Sequence, residues 1–516
     1  MPEQNSNDQY SSWVGLIYIF NLIVGTGALT LPAVFSKAGW ALGLSVILIL
    51  AFISFITVTF VIEVMASANA IVTWRHIQHR KRVCFTQDSS FNESESEMLQ
   101  TLGESGPSNS DSEDTPLVTP FSSSPDRADM TYRYYVIRDK IEMGQMASIF
   151  FNKFGITLFY ICFAVYLYGD LSIYGAAVAK TLADVACTYQ PLNFTCNDTI
   201  PDTELCWEEY SVNRQDAYRI FLSMFVFLLG PFVFFNIQRT KYLQFLTSGM
   251  RWLAFTIMIV YAVKNLIIHG AQGNPPTANI MGIPSLFGAC IYSFMCHHSL
   301  PALVAPIANK STLNRFMALD YFLIAFFYLL LALTGAFAFE HLDDLYTLDF
   351  SPRGSGDCSK SNNIFIVLIE YFLALFPVFT LSTSFPIIAI TLRNNLQSLF
   401  LHEDTSYSCL YKLVFPILAI LPPYMIAMST KDLSILVGIT GSYAGAGIQY
   451  LIPTVLVYYA RQKTNKVIGL GVVNKFASPF SNNCWLVFVI AWAITCMVLV
   501  SVNFIQIHLQ STGLKL

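Results

Sequence analysis

The 516 residues are 54% hydrophobic and 12% charged, with a mean hydropathy of +0.52 and a net charge of −4. Soluble domains carry about 25% charged residues, so this composition excludes an ordinary soluble enzyme and reads as an all-α polytopic membrane protein. No basic cluster of the size that binds nucleic acid is present, so the expected partners are the lipid bilayer and a small molecule.

The first ten residues carry no Lys or Arg, and no small-residue cleavage site follows the apolar stretch. The first span is therefore expected to stay in the mature protein, after a cytoplasmic N-terminus at 1–12. Inside that span, at 13–34, lies Asn21-Leu22-Ile23-Val24-Gly25-Thr26-Gly27-Ala28-Leu29-Thr30-Leu31-Pro32. Glycine costs about 1 kcal/mol and proline about 3 kcal/mol in a helix interior. Lipid cannot satisfy the backbone that such a break frees, so the break must face protein, water or a ligand. Secondary transporters hold substrate and ion near the bilayer midplane with spans of this kind.

Ten further apolar segments reach about 20 residues: 42–70, 155–180, 217–237, 243–268, 284–307, 316–339, 363–390, 411–429, 433–460 and 485–507. With the N-terminus inside, the cytoplasmic loops hold 19 Lys and Arg against 8 on the other side, the expected bias. The loop 461–484 then lies inside and the C-terminus, 508–516, outside. The segment 411–429 is interrupted by Pro416, Pro422 and Pro423.

Between the second and third spans, 71–140 is a long cytoplasmic loop. Its part 83–131 has eleven serines, ten acidic residues and one basic residue, Arg127. It buries too little apolar surface to offset ordering and is expected to be disordered. Ser110-Asp111-Ser112-Glu113-Asp114 suits an acid-directed kinase. Glu113-Asp114-Thr115-Pro116-Leu117-Val118 loosely resembles an acidic dileucine signal read by a trafficking adaptor. The destination is then an endosome or lysosome, with the plasma membrane as the alternative; a plain solvated tether explains the composition equally well. An amphipathic helix is expected at 141–154.

The outer loop 187–215 contains two glycosylation acceptors, Asn193 and Asn197. It also contains Cys187, Cys196 and Cys206, and Cys358 lies in another outer loop. These four cysteines allow three sets of two disulfides, among which sequence does not choose.

The third span carries Asp170, an acid that either takes a coupling proton or pairs with a Lys or Arg across helices. Glu63, near the end of the second span, reads as structural. The sixth span holds Tyr292-Ser293-Phe294-Met295-Cys296-His297-His298-Ser299-Leu300-Pro301. Small and polar residues are again followed by Leu-Pro, five spans after the first break. An odd separation inverts the second repeat, so spans 1–5 (13–70 and 155–268) and 6–10 (269–460) form an inverted 5+5 pair with span 11 added. His297 and His298 diverge by about 100° on a helix, which disfavours metal; no metal and no cofactor other than Na⁺ or H⁺ is expected. In the eighth span Thr380, Ser382, Thr383 and Ser384 present hydroxyls before Pro386, which is expected to break the helix. Such oxygens suit Na⁺, or bond between helices. Gly438, Gly441, Gly445 and Gly447 in the tenth span read as close packing, with a flexible gate as the sharper alternative.

The first-span pattern Asn21, Gly25, Thr26, Gly27, Leu29, Leu31, Pro32 resembles the first-span motif of the amino acid/auxin permease superfamily. That superfamily includes the sodium-coupled neutral amino acid transporters. Phe294-Met295-Cys296-His297 is similar to its aromatic-x-Cys-His pattern, although His298 stands where the family usually has proline. Val165-Tyr166-Leu167-Tyr168-Gly169-Asp170 and Phe376-Pro377-Val378-Phe379-Thr380 carry a closer likeness to one branch, over essentially everything except 83–131. The resemblance implies the inverted-repeat fold of the bacterial leucine transporter. It implies an α-amino acid held at Val24, Gly25, Thr26 and Gly27 against Cys296, His297, His298 and Ser299. It also implies an ion served by Asn21 and a span-8 hydroxyl, Thr380 or Thr383. The expected function is secondary active transport of a small zwitterionic solute with Na⁺ or H⁺. The alternative is an amino acid sensor that binds without net flux. No nucleotide loop, metal signature or nucleophile elbow supports an enzyme.

Overall fold

The computed structural model describes residues 9–99, 134–189, 200–234, 241–351, 364–400, 409–469 and 472–511. It is helical throughout, and among the described residues the only extended pairings are the isolated bridges Tyr10–Ile307 and Leu205–Asn213. In chain order the helices are α1 (Ser12–Ile23), α2 (Thr26–Ala38), α3 (Trp40–Leu99), α4 (Met143–Phe150), α5 (Lys153–Ala186), α6 (Arg214–Leu229) and α7 (Lys241–His269). They continue with α8 (Ile283–Ser293), α9 (Leu300–Val304), α10 (Leu313–Ala338), α11 (Ile364–Phe400), α12 (Cys409–Ser429), α13 (Leu433–Thr440), α14 (Ile452–Val467) and α15 (Asn483–Ser511). Two π-helical turns, Gly441–Gly445 and Gly447–Leu451, join α13 to α14.

Among the described residues eight helices, counting α13 to α14 as one, are long and apolar enough to cross a membrane. The pair α1 and α2, bent by 55° at its break, makes a ninth; Ile280–Ser293 and Leu413–Ser429 are shorter apolar helices at the sixth and ninth expected segments. The chain is thus a polytopic membrane protein. Large apolar side chains such as Phe227, Ile267, Phe322 and Val487 point outward, as they do where lipid replaces water.

Local sequence explains several ends. Asn152 accepts from the Gly155 N–H at 2.9 Å and starts α5; Asp432 accepts from Ile435 and starts α13. Glu142 and Gln145 form a reciprocal cap on α4, satisfying two otherwise orphaned N–H groups. Met143, Met146, Ala147 and Phe150 of α4 are buried, against α5 and α14.

Two proline expectations are corrected. The helix α11 runs unbroken through Pro377 and Pro386, and α12 through Pro416, Pro422 and Pro423. In α11 the Thr383 and Ser384 hydroxyls donate to the Thr380 carbonyl at 2.8 and 3.2 Å, tightening the turn before Pro386. In α12 Pro422 has no N–H for the Leu418 carbonyl, and the Tyr168 hydroxyl of α5 donates to it instead at 2.9 Å. In α12 a neighbouring hydroxyl thus restores what proline removes. Tyr168→Phe leaves that carbonyl bare and costs about 1–3 kcal/mol, read as a lower melting temperature in detergent.

A third difference concerns the acidic segment. The helix α3 continues to Leu99, because adding residues to an existing helix avoids the nucleation cost. Residues 100–133, with the kinase and dileucine-like patterns, lie outside the described residues. So do Asn193, Asn197, Cys196 and Cys358. Of the cysteine pairings left open, Cys187–Cys206 is formed, buried beside Ala217 and Trp207.

The core is continuous. Helices α2, α8, α10 and α13 pack together at the centre, α3 lies against α10 and α14, and α5 packs against α11, α12 and α13. The small residues of α13 serve close approach: a Cβ on Gly288 would sit 2.3 Å from the Gly438 carbonyl oxygen, and one on Gly441 2.0 Å from that of Gly288. This is the packing role expected of the tenth-span glycines.

Candidate substrate site at two helix breaks

The first break falls at Val24 and Gly25, between α1 and α2, and the second spans Phe294 to Ser299, between α8 and α9. They meet. Gly27 packs so closely that a Cβ on it would lie 2.7 Å from the Ser293 Cα. One side chain joins them: the Tyr328 hydroxyl of α10 lies 3.0 Å from the Ile23 carbonyl and 2.9 Å from the Ser293 carbonyl. Each of these carbonyls ends a helix that stops at a break.

A helix end leaves four carbonyls without intrahelical partners, and most of those of α1 are accounted for. Phe20 accepts from the Val24 N–H at 2.9 Å, Ile23 faces Tyr328, and Asn21 accepts from the Arg251 guanidinium of α7. At the start of α2 the opposite holds. Gly25 is the N-cap and no side chain caps the helix. A Cβ on Gly25 would find one atom within 4 Å, the Ile23 oxygen at 3.9 Å. An uncapped helix N-terminus beside open space in a packed core is a seat for a carboxylate.

The second break is lined differently. Cys296 Sγ lies 3.3 Å from the Tyr321 hydroxyl, which donates to the Phe294 carbonyl at 3.3 Å. His297 is fully buried, with Nε2 2.9 Å from the Thr57 hydroxyl of α3. Thr57 donates to the Ser54 carbonyl at 3.0 Å, so His297 donates through Nε2–H and its Nδ1 is an acceptor. That Nδ1 has no partner, nor does Nδ1 of His298. His298 turns the other way, against Phe163 and Tyr166 of α5. The two rings diverge within the break.

The structure therefore brings Gly27 against Ser293 and joins Ile23 to Ser293 through Tyr328, at the point where the segment from Phe294 to Ser299 begins. Asn21 contributes its carbonyl, to Arg251. Asp170 is buried and accepts from the Tyr292 hydroxyl of α8, so its partner across helices is a phenol. Thr380 and Thr383 donate within α11, to the Phe376 and Thr380 carbonyls at 3.0 and 2.8 Å. The helix α11 packs on α5, α7 and α12. Sequence reasoning missed Tyr328, Tyr321 and Arg251. The signal available for the tyrosines was their spacing of seven, which places both on one face of α10.

A model of the transmembrane amino acid transporter protein family matches residues 8–81 and 130–501. Of the curated relatives, the Drosophila melanogaster transmembrane protein 104 homolog is 51% identical over 507 residues, covering 96% of this chain and 97% of the relative. The chain belongs to the transmembrane protein 104 branch of that family. Human transmembrane protein 104 is 46% identical, covering 97% of each chain. The Dictyostelium discoideum homolog is 34% identical, covering 95% of this chain and 96% of its own. The matched intervals resume at residue 130, so the family pattern skips most of the acidic segment and includes both breaks. The family is one of transporters.

Proposed function

We propose that the protein is a secondary active amino acid transporter that moves a small zwitterionic solute by alternating access, coupled to Na⁺ or H⁺. The observation that carries this is the meeting of the two breaks, with an uncapped helix start and open space at Gly25 on one side. The solute carboxylate fits the N–H groups at Thr26 and Gly27. The acceptors around Cys296, His297, His298 and Ser299 suit the ammonium group. Eleven spans, with 1–5 and 6–10 as inverted repeats, suit two breaks five segments apart.

Contacts that tie segments together at both ends of the bundle support an occluded state. At one end Lys180 of α5 pairs with Asp344, whose other oxygen accepts from the Leu433 N–H at 2.9 Å. At the other end the chain before α1 is tied to the chain after α9. The Tyr10 and Ala308 N–H groups donate to the Pro306 and Tyr10 carbonyls at 3.2 and 3.0 Å. An endosomal, lysosomal or plasma membrane address, and a kinase or adaptor contact at 83–131, belong to the same proposal on the strength of composition.

Uptake by purified protein in liposomes, with Na⁺ and pH gradients imposed separately on a radiolabelled amino acid mixture, tests the reading. Accumulation that collapses with one gradient is the expected result. Amino acids that raise thermal stability without accumulating would replace the transporter by the sensor.

A further inference from the structure

Asp320 lies on α10, about two helical turns inside the end that starts at Leu313. It is 0% exposed, and neither carboxylate oxygen has a hydrogen-bond partner. It precedes Tyr321, whose hydroxyl meets Cys296 Sγ and the Phe294 carbonyl of the second break. Tyr321 and Cys296 are the titratable groups that face it. The other elements packed on α10, namely α1, α2, α3 and α7, bring no charged side chain to it among the described residues. Asp170 and Glu63 differ: the first takes a tyrosine hydroxyl and the second an arginine.

A buried carboxylate that no protein donor reaches is strongly disfavoured in its ionised form inside a membrane protein, and a bound proton relieves that cost. We propose that Asp320 is the proton-binding carboxylate of the transport cycle, loaded in the closed state described here and unloaded when the Leu313 end opens to water. This rests on the transporter reading and selects H⁺ over Na⁺. The proton leaves the carboxyl oxygen for water, the carboxylate is then hydrated, and a proton returns before the end recloses. Its neighbour on α10, Tyr321, bonds the Phe294 carbonyl of the second break, so hydration of the carboxylate and opening of the break are coupled.

A separate observation speaks against a metal cation. The Asn21 carbonyl, beside which Na⁺ was expected, already accepts from the Arg251 guanidinium, and the Ile23 carbonyl faces Tyr328. A fixed side-chain cation stands where an exchangeable one would need oxygens.

The test compares wild-type protein and Asp320→Asn in liposomes by two assays: pH-driven accumulation, and exchange of labelled for unlabelled amino acid without a gradient. Wild-type accumulation should rise about tenfold per pH unit for one proton per solute and ignore Na⁺. Asp320→Asn, fixed in the neutral form, should lose at least about tenfold of accumulation while exchange falls far less. Accumulation driven by Na⁺, or unaltered in Asp320→Asn, overturns the proposal. Infrared difference spectroscopy of the same protein supplies a readout independent of transport. A protonated carboxyl band that weakens in Asp320→Asn supports the assignment, and an unchanged band overturns it. Wild-type protein that neither exchanges nor accumulates any amino acid, yet shows that band, removes the transporter reading and with it the coupling role.

Discussion

Replacing Glu63 by alanine should remove about 3–5 kcal/mol of stability. Glu63 lies on α3 with its side chain 6% exposed, and Arg461 on α14 is 20% exposed. The pair is bidentate, Nε to Oε1 at 2.7 Å and Nη2 to Oε2 at 2.8 Å. Oε2 also accepts from the Ser478 N–H at 2.9 Å, and Nη1 donates to the Ser481 carbonyl at 2.9 Å. One carboxylate therefore joins α3, α14 and the segment before α15. Alanine leaves a half-desolvated guanidinium and a bare N–H, whereas a buried pair replaced on both sides often costs little. The ranking is thus the diagnostic: Glu63→Ala melts lowest, and Glu63→Leu combined with Arg461→Met melts above Glu63→Leu alone. A double variant no better than that single one would mean that the two side chains act independently.

The breaks were legible in sequence because they are conflicts. Glycine, threonine and proline inside an otherwise apolar span contradict helix propensity, and a contradiction in lipid demands a compensating surface. The same logic misled at the prolines of α11 and α12. Proline announces a missing N–H, but whether a neighbour supplies the replacement depends on crossings that sequence does not encode locally. Tyr168 reaches Leu418 across 250 positions of sequence. Arg251 and Asp320 were hidden for a related reason. Each sits near an end of its apolar run, where a charge ordinarily reaches the interface, and only the packing of α7 and α10 turns them inward. Asp170 announced itself by lying mid-span, yet its partner, Tyr292, was visible only as part of the motif before the second break. The acidic segment was read from composition, which describes what a chain does alone; α3 enters it as a helix already formed.

Gly25 and Gly27, two positions apart, should respond to substitution in opposite ways. Gly27→Ala places a Cβ 2.4 Å from the Ser293 Oγ, 2.7 Å from its Cα and 2.9 Å from its N. Two of those atoms are backbone and cannot rotate away, so α2 and α8 must part, at about 1–3 kcal/mol or more. Folded yield and melting temperature should fall together with binding. Gly25→Ala meets nothing closer than 3.9 Å, and its φ of −120° lies outside the left-handed region that calls for glycine. The variant should therefore melt close to wild type. What it loses is space: the new methyl enters the opening at the uncapped start of α2, where the proposed carboxylate sits. Apparent affinity for the solute should drop by about tenfold or more, equivalent to about 1.4 kcal/mol, and Gly25→Val should drop it further. Undiminished uptake by Gly25→Val would move the solute away from the first break. A normal melting temperature for Gly27→Ala would mean that the two breaks do not touch, and the site would lose the contact on which it is built.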